Sequence, residues 1–208
     1  MSKSSKFSWP TPTGPNWRRS APERLLDNPY FAVDRYAAVA PTGREATYWV
    51  QNFKNLAVGV IPLHPDGTIT LVGQWRFPSD RYSWELPEGG VPAGEAALDG
   101  AKRELREETG LLAEDWRPIL SMQLSNASSD EVAHVFLATG LSAAATDPDP
   151  TEMLTPLRAP FGEALKAALS GEILDAMTVA GLLRLHHMAV TGVLSPDLAS
   201  AVLSTVIS

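Results

Sequence analysis

The chain has 208 residues, 44% of them hydrophobic and 20% charged, and its 17 Lys and Arg stand against 24 Asp and Glu for a net charge of −7. That apolar content excludes a disordered chain and allows a full core in one large domain, or one domain with an extension. The absence of cysteine excludes disulfides, thiolate nucleophiles and Cys-ligated clusters, while the acidic balance argues against a duplex-binding surface and suits a protein that holds cations.

Residues 1–29 carry Trp9, Pro10, Pro12, Pro15 and Trp17 and read as an irregular arm whose aromatic residues pack somewhere. A β segment is expected over 30–55, and the main domain over 56–208 with helices at its C-terminal end. Tyr30–Tyr36, Ala46–Phe53, Leu56–Leu63, Thr68–Trp75 and Tyr82–Leu86 are rich in β-branched and aromatic residues, with turns at Pro41–Gly43 and His64–Gly67. Gly94–Thr109 reads as a helix with an apolar stripe of Ala97, Leu98, Ala101 and Leu105, stopped by Gly110. Strands resume at Ile119–Leu124 and Val132–Ala138, and 143–155 reads as a polar loop. Helices are expected over Gly162–Leu169, Ile173–Val190 and from Ser195-Pro196 onward. This order gives a mixed α/β (α+β) layout rather than repeating βαβ units. No apolar run approaches the roughly 20 residues of a membrane span. No apolar stretch follows Lys3 and Lys6 either, so a cytoplasmic protein without membrane or nucleic-acid partners is expected.

The chemistry concentrates between Gly89 and Leu111. On a helix advancing about 100° per residue, Glu104, Glu107 and Glu108 share one arc. Glu104 and Glu108 border the apolar stripe, so they avoid the most solvated side. Half-buried like charges need compensation, which a hard divalent cation such as Mg²⁺ or Mn²⁺ supplies. The alternative is a solvated acidic helix face. Gly89, Gly90 and Gly94 allow a tight approach of backbone to a cation or phosphate. Glu95 and Arg103 lie two turns apart, so they can pair only if Glu95 sits in the loop or in a bent first turn.

A glycine, five residues, Glu, seven residues, then Arg-Glu-aliphatic-x-Glu-Glu-x-Gly-aliphatic is matched at Gly89, Glu95, Arg103, Glu104, Leu105, Glu107, Glu108, Gly110 and Leu111. This resembles the signature of the Nudix hydrolases. Ala57–Leu63, Gln74–Pro78, Trp84–Pro87 and Val132–Ala138 are similar to the ADP-ribose pyrophosphatase-like branch. The resemblance implies a mixed β-sheet sandwiched between helices, here with an N-terminal β extension. It also implies Mg²⁺- or Mn²⁺-dependent hydrolysis of a nucleoside diphosphate linked to another moiety.

By the same resemblance Glu104 and Glu108 are metal ligands, joined by the backbone carbonyl of Glu88. Glu107 is a third ligand or orients a metal-bound water. Arg103 and Glu95 form the pair that shapes the loop and helix, with Gly89 and Gly110 as structural members. A general base in this branch often lies on a later loop, where Glu152 is the first candidate and Asp149 the second. Arg76 and Arg81 are candidate diphosphate contacts, or surface arginines. Trp75 and Trp84 either stack on a base or are buried. The branch usually carries a proline beyond the box, where this chain has Ser125–Ser129. The substrate therefore stays open among ADP-ribose, another nucleotide sugar such as GDP-mannose, and related diphosphates. A catalytically silent nucleotide-sugar sensor is the competing reading. Relatives in the branch dimerise through the N-terminal β segment, which implies a homodimer.

Overall fold

The computed structural model describes residues 8–11, 13–146, 151 and 153–206. The first four strands are β1 (Arg18–Arg19), β2 (Glu23–Asp27), β3 (Phe31–Val39) and β4 (Glu45–Phe53). They form one antiparallel sheet in which β1 and β2 share an edge of β3 and β4 takes the other. The arm expected to be irregular thus contributes two strands. They are held by charge as much as by propensity: Arg24 reaches the buried Asp34 at 2.5 Å and Asp27 at 3.0 Å, and Arg35 pairs with Glu23 at 2.5 Å. Trp17 meets Tyr48 edge-on with ring centroids 5.5 Å apart.

The main domain follows with β5 (Asn55–Pro62), β6 (Thr68–Arg76), a 3₁₀ turn at Phe77–Ser79, β7 (Arg81–Glu85) and β8 (Glu88–Pro92). Then come α1 (Ala97–Thr109), β9 (Leu111–Gln123), β10 (Val132–Ala143) and β11 (Thr155–Pro160). The helices α2 (Phe161–Ser170), α3 (Ala176–Val190) and α4 (Pro196–Ser204) complete the chain. One sheet runs β8-β5-β10-β9, with β5 and β10 parallel, and a second runs β11-β6-β7.

Both faces of β5 are covered, which explains its unbroken apolar run. Val58 and Val60 join Ala101 and Leu105 of α1, while Ile61 joins Leu182, Leu185 and Met188 of α3. β10 alternates the same way, Phe136 and Ala138 to one side and Val135 and Leu137 to the other. The α1 helix begins at Ala97 rather than Gly94, because Gly94 takes a left-handed turn (φ 96) before it. Two further strands were not expected. β8 lies in what reads as a glycine loop, and β11 starts inside the loop expected over 143–155. Both gain their order from pairing, β8 with β5 and β11 with β6.

Buried Thr178 of α3 accepts a 2.9 Å hydrogen bond from the Leu86 backbone N–H and so anchors the β7–β8 corner. Thr178→Val keeps the shape but strands that N–H, an expected loss of about 1–3 kcal/mol. A thermal melt should show a fall of roughly 5 °C, and an unchanged midpoint would deny Thr178 this role.

Candidate active site

The α1 helix presents its carboxylates to the start of β8. Glu104 and Glu108 are only 9% and 5% exposed. The Glu108 carboxylate accepts the Glu88 backbone N–H at 3.1 Å. Glu104 lies so close to Gly89 that a Cβ there would fall 2.3 Å from its carboxylate. Glycine at 89 therefore makes the space the carboxylate occupies.

Arg103 ties these groups together. It donates to Glu104 at 2.7 Å, to Glu107 at 3.1 Å and to the Gly90 carbonyl at 3.0 Å, and pairs with Glu95 at 3.4 Å. Glu95 sits in the bend before α1, the placement that pairing with Arg103 requires. Burial works against the Arg103 charge, but Glu104, Glu95 and Glu107 outweigh it and hold the guanidinium pKa above its ordinary value. Gly110 ends the helix in the left-handed conformation (φ 66). Arg103, with Arg106 on Glu107 at 3.5 Å, set against three box glutamates and Glu95 leaves negative charge. Hard oxygen donors with room beside a glycine backbone fit Mg²⁺ or Mn²⁺. The residues that would hold the ion are Glu104, Glu108, Glu107 and the Glu88 carbonyl.

A cleft of about 780 Å³ opens over β8, lined among others by Gln74, Arg76, Arg81, Glu88 and Gly89. This is the size range of small-molecule sites. Arg76 grips Glu85 through two nitrogens at 2.5 and 2.9 Å and also reaches Glu88 at 2.9 Å, while Gln74 donates to Glu85 at 3.3 Å. Arg81 lines the same cleft. Burial, with Asp175 and Glu85 nearby, pushes the Glu88 carboxyl well above the usual glutamate range, although Arg76 pulls the other way.

In the presence of a chelator, the folded chain therefore keeps a proton on Glu88 where the unfolded chain has released it. Stability should fall as pH rises through and above the ordinary glutamate range, and Glu88→Gln should flatten the fall. Melting midpoints between about pH 4 and about pH 8 check this, parallel curves for the two proteins being the contrary result.

The structure brings Glu88, Gly89, Glu95, Arg103, Glu104, Glu107 and Glu108 together, with Arg76 and Arg81 in the adjoining cleft. Trp84 packs on the main core and over Gly73, whose added Cβ would meet the ring at 2.7 Å. Its burial there is partial, which favours the buried alternative. Trp75 departs from the buried alternative: it is 61% exposed and donates to Asp80 at 3.2 Å. Glu152 and Asp149 lie outside the described residues. Sequence reasoning missed Glu85, the Glu88 side chain and Asp175. For Asp175 a signal existed, since it is the N-cap of α3, accepting from the Thr178 N–H at 2.7 Å.

A family model described as the NUDIX domain matches residues 53–184. The chain is 36% identical over 177 residues to an ADP-ribose pyrophosphatase of Mycobacterium tuberculosis, spanning 84% of each. It is 36% identical over 124 residues to an ADP-ribose pyrophosphatase of Bacillus subtilis, covering 59% of this chain and 67% of that one. Its fold matches a crystal structure described as ADP compounds hydrolase with a TM-score of 0.78 at 18% identity, over 88% of this chain and 98% of the other.

Proposed function

Because the chain belongs to the NUDIX family and is a hydrolase, we propose that it splits the diphosphate of ADP-ribose or a closely related nucleotide sugar, with Mg²⁺ or Mn²⁺ as cofactor. One observation carries the reading: two buried carboxylates, Glu104 and Glu108, converge on the glycine-bearing start of β8, whose residues 88–90 line a cleft of substrate size. The bacterial relatives described as ADP-ribose pyrophosphatases support the choice of substrate.

When bound, the cation would neutralise diphosphate charge and make a coordinated water a better nucleophile. The chain's own groups do the rest. Arg103 keeps Glu104 and Glu107 from repelling each other out of place. Glu107, with about a quarter of its side chain exposed, is placed to orient a water. Arg81 has no ion-pair partner among the described residues and faces the cleft, so its fork is available to diphosphate oxygens. Arg76 is already engaged by Glu85 and Glu88, so it contributes to the same diphosphate only by sharing. Glu152 is the first candidate for general base and Asp149 the second; an unchanged turnover number in Glu152→Gln would remove the first.

The test is a Mg²⁺- and Mn²⁺-dependent hydrolysis panel including ADP-ribose and GDP-mannose. A preference for ADP-ribose supports the proposal. A thermal shift with ADP-ribose but no turnover on any member would favour a nucleotide-sugar sensor. The N-terminal sheet leaves Trp17, Leu25, Leu26 and Trp49 exposed at 43–53%, an apolar surface that a second copy would cover. Light scattering after size exclusion should then read a dimer, and a clean 22.4 kDa species rules it out.

A further inference from the structure

We propose that Glu85, Glu88 and Asp175 form a second divalent-cation site in the cleft floor, distinct from the carboxylates of α1. Each offers one carboxylate oxygen, and the three lie within 4.8 Å of one another. They come from three places in the chain: the end of β7, the start of β8 and the N-cap of α3. The Thr178 hydroxyl, bonded to Leu86, holds the third against the first two. These are hard donors, and a cation that keeps waters or phosphate oxygens in its remaining positions suits so few of them.

The second observation is Glu88 itself. Its side chain is only 8% exposed, and its Oε2 is buried without a hydrogen-bond partner among the described residues. Oε1 accepts from Arg76 at 2.9 Å, which leaves Oε2 as the oxygen open to a cation. Arg76 brings one positive charge to three carboxylates, and a divalent ion that displaces the Glu88 proton would match the two negative charges that remain. Arg81 and Gln74 line the same cleft, so an ion held here would lie in the cleft proposed to take the diphosphate.

The inference stands apart from the proposed substrate, because it is read by counting bound ions. Mn²⁺ binding to the full chain, measured by the electron paramagnetic resonance of free Mn²⁺, should show one ion fewer in Glu88→Gln than in the unaltered protein. Asp175→Asn, which can still cap α3, should bind that ion at least tenfold more weakly and carries the test if Glu88→Gln does not fold. The double variant Glu104→Gln, Glu108→Gln should keep one ion. The same Mn²⁺ stoichiometry and affinity in Glu88→Gln or Asp175→Asn as in the unaltered chain overturns the site, as does loss of every ion in the double variant. A failure of hydrolysis in the substrate panel would leave this count untouched.

Discussion

Glu108→Gln should lower kcat/KM for the hydrolysed substrate by about a thousandfold, or about 4 kcal/mol of transition-state stabilisation. The carboxylate is 5% exposed and accepts the Glu88 N–H, and under the proposed function it has a second task, supplying charge to a cation. Glutamine still accepts the N–H through its amide oxygen, so the β8–α1 contact survives. It removes the charge, and with it the reason for a hard cation to prefer this position. The apo variant should melt no lower than the unaltered protein, because a buried like charge beside Glu104 has gone. Kinetics in saturating Mg²⁺ with a parallel melt separate the two tasks. A loss of less than tenfold, with the fold intact, would show that Glu108 does not hold the reacting cation.

Arg103→Ala should cost about 3 kcal/mol, which for a chain of this size lowers the melting midpoint by roughly 10 °C. No other described side chain meets so many groups of the box at once: Glu95, Glu104, Glu107 and the Gly90 carbonyl. Its guanidinium is about one-third exposed, so solvent screens part of each pair and the loss stays below that of a fully buried ion pair. What remains after the truncation is a carboxylate cluster that keeps Arg106 on Glu107 but has lost the arginine that bridges its members. Saturating Mn²⁺ should then recover part of the midpoint, more than it raises that of the unaltered chain. Arg103→Lys should fall between the two, since an ammonium cannot fork to acceptors on both sides. A melt of Arg103→Ala within about 2 °C of the unaltered protein would deny the arginine its organising part.

Much of the helix and its chemistry was legible from residues alone. The spacing of Glu104, Glu107 and Glu108 beside the stripe of Ala101 and Leu105 is a local property of one helix, and so is the glycine stop at Gly110. Elsewhere local signals fell short where the order comes from a partner strand. Arg24 and Glu23 carry no strand propensity to speak of, and β2 exists because Asp34 and Arg35 on β3 meet them. β8 reads as a glycine loop until β5 lies beside it. Trp75 and Trp84 look alike in the chain. They part by position along the β6–β7 hairpin: Trp84 pairs with Gly73 and packs on the core, whereas Trp75 pairs with Tyr82 beside the open turn.

The chain by itself determined the box, its carboxylates and the helix that carries them, because all of these lie within one short stretch of periodic sequence, and the resemblance of that box implied the class of reaction. Only the tertiary structure decided that Arg76 closes on Glu85 and Glu88, and that Asp175 joins them from nearly ninety residues away. The reason is physical: a helix repeats its faces every few residues, whereas a cleft is made of side chains that meet only when separate strands and a helix end pack against one core.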